Sequence, residues 1–146
     1  HLCDRRQRQM CKETVADQRK DFHHKLSRAI ADNCTAFICE DLAVKNMMKN
    51  RHLAKAIASV GWSQFLTMVK YKMERAGKYF RKVSRWYPSS QTCGCCGYKN
   101  ADVKDLAVRK WVCPKCGALH DRDINAQQNI FRMGMRLLQA EGIKII

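Results

Sequence analysis

Four cysteines form two pairs, Cys93-x2-Cys96 and Cys113-x2-Cys116, with sixteen residues between them. Two intervening residues let a tight turn aim both thiolates at one ion, and four such sulfurs make the closed tetrahedral site of structural zinc. A closed site keeps no position for water, so this spacing predicts a zinc ribbon whose metal holds the fold and takes no part in catalysis. Metal binding worth on the order of 10 kcal/mol would fold a module too small to fold alone. Gly97 and Gly117 each follow the second cysteine of a pair, where the turn needs a permissive backbone. Cys95, beside Cys96, is a competing ligand that the spacing disfavours.

Glu40 and Asp123 are the candidate catalytic acids. Hydrolysis of a phosphodiester by divalent ions needs carboxylates that converge on the metals. Taken on the residues alone, the structural alternative is the stronger: Asp123 as the N-cap of a helix, and Glu40 as a solvated acid at a strand end. Trp86, Tyr87, Tyr98 and Trp111 lie among Arg85, Lys99, Arg109 and Lys110. Aromatics interleaved with cations can stack bases and bind phosphates, yet in so small a module they serve equally well as its hydrophobic cover.

The elements that must position these groups follow from periodicity. Residues 5–32 read as a basic amphipathic helix with Val15, Phe22, Leu26, Ala29 and Ile30 on one face, ending at Asp32-Asn33. His23 and His24 project about 100° apart on such a helix and make a poor ligand pair, so both are expected in solvent. Thr35–Cys39 is a short apolar run, expected as a strand buried on both faces in a parallel or mixed sheet, with Glu40 at its carboxyl end. Residues 52–77 form a second helical block, bent at Gly61, with Trp62, Leu66, Val69, Met73 and Ala76 as its apolar stripe. Residues 79–83 predict a further strand. After residues 120–123 a last helix carries Ala126, Ile130, Met133 and Leu137 on one face.

Composition bounds the function. The chain has 146 residues, 28 Lys+Arg against 13 Asp+Glu, and a formal charge of +15. So large a positive excess points to a polyanion, because Lys and Arg bind phosphates and release condensed counterions. Between Asp41 and Arg85 there are eleven basic residues and two acids. Five of the nine cysteines fall between Cys93 and Cys116, which reads as one metal site in a reduced, intracellular protein and not as a disulfide framework. No apolar run approaches the roughly 18 residues of a membrane span.

Several stretches together resemble the OrfB/TnpB proteins encoded by bacterial and archaeal insertion sequences. They are Ile38-Cys39-Glu40-Asp41-Leu42-Ala43-Val44, Leu53-Ala54-Lys55-Ala56-Ile57, Tyr71-Lys72, residues 86–93 from Trp86 to Cys93, and Asp121-Arg122-Asp123-Ile124-Asn125-Ala126. The resemblance runs from about Gln18 to Ile130, and the ordered combination is far more specific than any one motif. It implies an α/β chain: a partial RNase H-like (RuvC-like) domain with an inserted zinc ribbon. The implied division is 1–88 for the C-terminal part of the nuclease domain, 89–119 for the ribbon, and 120–146 for the last catalytic motif and the C-terminal helix.

Such proteins are similar to type V CRISPR effectors, and the resemblance implies RNA-guided, Mg-dependent cleavage of DNA. Glu40 then matches the family's catalytic glutamate and Asp123 its final aspartate, with Asp121 the poorer match. DNA and a guide RNA are the implied partners, with no membrane, in a prokaryotic cytoplasm and on the nucleoid when bound. The family's first catalytic aspartate lies on an early apolar strand. The acids before Glu40 (Asp4, Glu13, Asp17, Asp21 and Asp32) all fall in the polar helical block, so the chain reads as a C-terminal fragment with two of three metal ligands. The alternatives are a basic zinc-ribbon module that grips nucleic acid without cutting it, or a decayed transposase remnant. A DDE-type transposase fits the ribbon placement and the Glu40-Asp41-Leu42 motif less well.

Overall fold

The computed structural model describes residues 2–144, with side chains from Asp4 onward, so the side chain of Cys3 lies outside the described residues. The order is α1 (Leu2–Asn33), β1 (Ala36–Glu40), α2 (Val44–Met47), α3 (Arg51–Val60), α4 (Trp62–Arg75), β2 (Tyr79–Val83), a 3-10 turn (Ala101–Lys104), β3 (Lys110–Val112), β4 (Leu119–Asp121) and α5 (Arg122–Ala140). This is a mixed α/β chain. It divides into two compact units, residues 1–37 with 43–80, and residues 38–42 with 81–146. No helix among the described residues is long and apolar enough to cross a membrane.

The first unit is built on α1 packed against α4. Helix α4 buries Phe65, Leu66, Met68, Val69 and Met73, and three of these belong to the expected stripe, while Ala76 is exposed. Gly61 does more than bend the block. At φ +63° it ends α3 and begins α4, a left-handed conformation that glycine adopts without strain. The buried strip of α1 differs from the apolar one. His23, Ser27 and Ala31 are buried at four-residue spacing, whereas Val15, Phe22 and Leu26 are exposed. Small side chains at 27 and 31 allow close helix approach, and Lys72 Nζ crosses to donate to His24 O at 2.6 Å and Ser27 Oγ at 2.8 Å. His23 is therefore not in solvent: its ring lies 5.4 Å from that of Phe65.

Strands β1 and β2 pair. Tyr79 N–H donates to Thr35 O at 3.1 Å in the first unit, and Asp41 N–H donates to Val83 O at 2.9 Å in the second. Early residues match early and late match late, which is parallel pairing. Only Cys39 of β1 is buried, because a two-stranded sheet cannot cover both faces of a strand.

In the second unit, α5 buries Asn125, Asn129, Gly134 and Leu138, not the expected Ala126–Leu137 face. A Cβ built on Gly134 would collide with the side chain of Ile38, so glycine is what lets α5 approach the residues leading to Glu40. The cysteine-rich segment has its own core of Cys93, Val103, Trp111 and Cys113. Strands β3 and β4 pair antiparallel in it, with Trp111 opposite His120.

Candidate metal centre and carboxylate site

Each cysteine pair sits in the same backbone turn. Gly97 N–H donates to Cys93 O and Gly117 N–H to Cys113 O, both at 2.9 Å, while Cys93 and Cys113 N–H groups donate to Tyr98 O and Ala118 O at 2.8 Å. Gly97 and Gly117 close the turns at φ +75° and +72°, where a side chain would be strained.

The turns bring Cys93, Cys96, Cys113 and Cys116 together, all four sulfurs within 4.8 Å of one another. Cys93–Cys116 and Cys96–Cys113 are each 3.6 Å apart. A tetrahedron of thiolates about 2.3 Å from a metal has edges of about 3.8 Å, so the cluster fits one four-coordinate ion. Burial would push the Cys93 thiol up, but N–H groups of Cys96 and Cys95, then His120 and Cys116, pull it down to about 5. At Cys116 the Ala118 N–H favours the thiolate, but burial and the three neighbouring sulfurs push the thiol up to about 12. Four thiolates at this spacing repel one another, and a divalent cation held among them would supply the missing charge.

His120 was not legible as part of this site. Its Nε2 lies 3.0 Å from Cys93 Sγ and its ring packs on Trp111 at 4.7 Å between centroids. Cys93, Cys95 and His120 form a second, overlapping donor group, which keeps Cys95 at the edge of the site.

The two carboxylates line one cavity of about 500 Å³, together with Ile38, Cys39 and residues of α5. Glu40 ends β1, and Asp123 stands in the first turn of α5. The capping role falls to Asp121, whose Oδ1 accepts from the N–H groups of Asp123 at 3.0 Å and Ile124 at 3.1 Å. That leaves the Asp123 carboxylate free of capping and 77% exposed, 3.6 Å from Arg109 Nη1. Asp41 is committed elsewhere. Hydrogen bonds from Arg85 at 2.5 Å and Lys82 at 3.2 Å hold its carboxyl below the usual carboxylate range. Burial pushes the Cys39 thiol up, so the sulfur in the cavity wall stays protonated and inert.

Two buried asparagines tie the ribbon to α5. Asn125 Nδ2 donates to Thr92 O at 2.7 Å and its Oδ1 accepts from Gly94 N–H at 2.9 Å. Asn129 Nδ2 donates to Ser89 O and Thr92 O at 2.9 and 2.7 Å. Their i, i+4 spacing on an inward helix face was the available signal, hidden because apolar periodicity ignores polar residues.

Two family models match the chain: "Cas12f1-like, TNB domain" over residues 62–130, and OrfB_IS605, "Probable transposase", over residues 3–51. A "Putative RNA-guided DNA endonuclease" of Streptomyces pristinaespiralis is 44% identical over 122 residues, covering 83% of this chain and 30% of its own. The chain belongs to the OrfB/TnpB family. InsQ of Escherichia coli K12, another "Putative RNA-guided DNA endonuclease", is 28% identical over 85% of the chain and 34% of its own length. The TnpB-like protein L79 of Acanthamoeba polyphaga mimivirus is 26% identical over 84% and 24%. The chain thus spans about a quarter to a third of the length of these OrfB/TnpB relatives. In fold it is similar to a chain of the cryo-EM structure of a Cas12f1-sgRNA-target DNA complex. The TM-score is 0.62 at 21% identity, covering 84% of this chain and 36% of that one.

Proposed function

We propose that this chain is the C-terminal part of a transposon-encoded, RNA-guided DNA endonuclease with a partial RuvC-like, RNase H-like domain, and that Glu40 and Asp123 are two of its catalytic metal ligands. The observation that carries this reading is that both acids line one cavity while Asp121 takes the helix cap. Hard, accessible carboxylate oxygens suit Mg²⁺. Bound there, magnesium would supply an activated water and neutralise charge at phosphorus. The chain's own part is to hold the two acids on a strand end and a helix start, and to present the basic residues that bind the phosphate backbone.

Zinc is the ion proposed for Cys93, Cys96, Cys113 and Cys116, in a structural role, since the four sulfurs fill a tetrahedral shell. The division into 1–88, 89–119 and 120–146, the pairing with DNA and guide RNA, and a cytoplasmic location rest on the family relationship. The test is Mg²⁺-dependent cleavage of labelled single-stranded DNA by the metal-loaded chain, and by a full-length protein carrying it, beside Glu40→Ala and Asp123→Ala. Loss of cleavage in both variants is expected. Undiminished cleavage by either variant removes the reading.

A further inference from the structure

Beside the carboxylates lies a second cavity wall to which the proposal above gives no role. A space of about 450 Å³ is lined by Glu40, Asp123, Arg85, Trp86, Lys99 and Arg122, among other residues. Its size is at the scale of small-ligand sites, about 300–1,000 Å³, and therefore of a single nucleotide.

Trp86 is 86% exposed, more than any other large apolar side chain among the described residues. Isolated exposed apolar groups are ordinary, but an indole in water beside a charged cavity is informative. Its backbone is held in place. Trp86 N–H donates to Ser84 Oγ at 3.3 Å, Tyr87 N–H donates to Ser84 O at 3.0 Å, and Pro88 follows. The turn therefore presents the ring to solvent. Trp111 has the opposite fate, 6% exposed in the ribbon core. The aromatic set thus separates into core and surface members, which the sequence left undivided.

The cations of the cavity are unequally engaged. Arg85 is bound to Asp41. Arg122 Nη1 reaches only Asp105 O, at 3.4 Å, and Lys99 has no ion pair among the described residues. An exposed indole, two available cations and two carboxylates share a space that suits one unstacked nucleotide. Bases in a duplex are already stacked on their neighbours, so this arrangement favours a single strand.

We infer that Trp86 is a stacking platform for a base of single-stranded DNA, with Lys99 and Arg122 on the adjoining phosphates, positioning that strand against Glu40 and Asp123. The identity of the strand as the one to be cut rests on the nuclease proposal; the stacking itself does not. Trp86 is a positioning residue, and its preference is sequence-tolerant because every base has a π-face.

The test is equilibrium binding of the metal-loaded chain at low salt to labelled oligo-dT and to an abasic oligomer with the same number of phosphates. Trp86→Ala is expected to weaken oligo-dT binding roughly 5- to 140-fold, the range of one lost base–aromatic stack. Trp86→Phe should recover most of it, and the gap between wild type and Trp86→Ala should close on the abasic strand. Circular dichroism and metal content of the variants check that the fold is kept. Equal oligo-dT binding by Trp86→Ala, an equal loss on the abasic strand, or no binding by wild type would each overturn the inference. Base-dependent binding that survives while Glu40→Ala and Asp123→Ala leave cleavage unchanged would remove the nuclease proposal and leave the stacking platform standing.

Discussion

Replacing Asn125 by alanine should loosen the junction between the ribbon and α5. The side chain makes two hydrogen bonds, one to Thr92 O and one from Gly94 N–H. Thr92 O keeps a second donor, Asn129 Nδ2 at 2.7 Å, so losing the first costs about 1 kcal/mol. Gly94 N–H has no second acceptor among the described residues, and leaving it unpaired in a partly buried place costs about 1–3 kcal/mol. The sum is about 2–4 kcal/mol, or a fall in Tm of roughly 5–12 °C for a chain of this length. Asn125→Asp keeps the acceptor for Gly94 but sets a carboxylate oxygen against Thr92 O. At neutral pH it should be at least as damaging, and acidification should restore part of the loss because a protonated oxygen can donate. Thermal unfolding of the metal-loaded protein by near-UV circular dichroism reads both variants, with release of metal to a chromogenic chelator as the local probe. A change under 0.5 kcal/mol with unaltered metal release in Asn125→Ala would refute the reasoning.

Two further outcomes follow from the packing. Stripping the metal with a chelator should unfold the ribbon, since Cys93 and Cys113 belong to its core; Trp111 fluorescence should shift to the red, and a spectrum unchanged by complete removal would contradict a structural metal. Gly134→Ala should destabilise by about 1–3 kcal/mol through collision with Ile38, despite alanine's better helix propensity, and Ile38→Ala in the same chain should relieve it, with additivity in denaturant unfolding as the contrary result.

The cysteine cluster, the long first and last helices and the strands at 36–40 and 79–83 were legible because their signals are local: a two-residue spacing, a glycine after it, an apolar run ending in Glu40. What escaped was the choice of face. On α1 the periodicity selected Val15, Phe22 and Leu26, but the packed strip is His23, Ser27 and Ala31, because close approach to α4 favours small side chains over large apolar ones. On α5 the same rule passed over Asn125 and Asn129, which are buried because they satisfy backbone groups of the ribbon. The helix cap was misjudged in the same way: on the residues alone Asp123 was the expected N-cap, but Asp121 accepts from the N–H groups of Asp123 and Ile124.

The central claim is that Glu40 and Asp123 share a divalent cation. Its most direct test is Mn²⁺ titration of isotope-labelled, zinc-loaded chain followed by paramagnetic broadening of backbone amides, with Mg²⁺ as competitor. Broadening should centre on Glu40 and Asp123, recede with Mg²⁺, and vanish in the Glu40→Gln, Asp123→Asn double variant. Broadening centred elsewhere, or unchanged in the double variant, would contradict it.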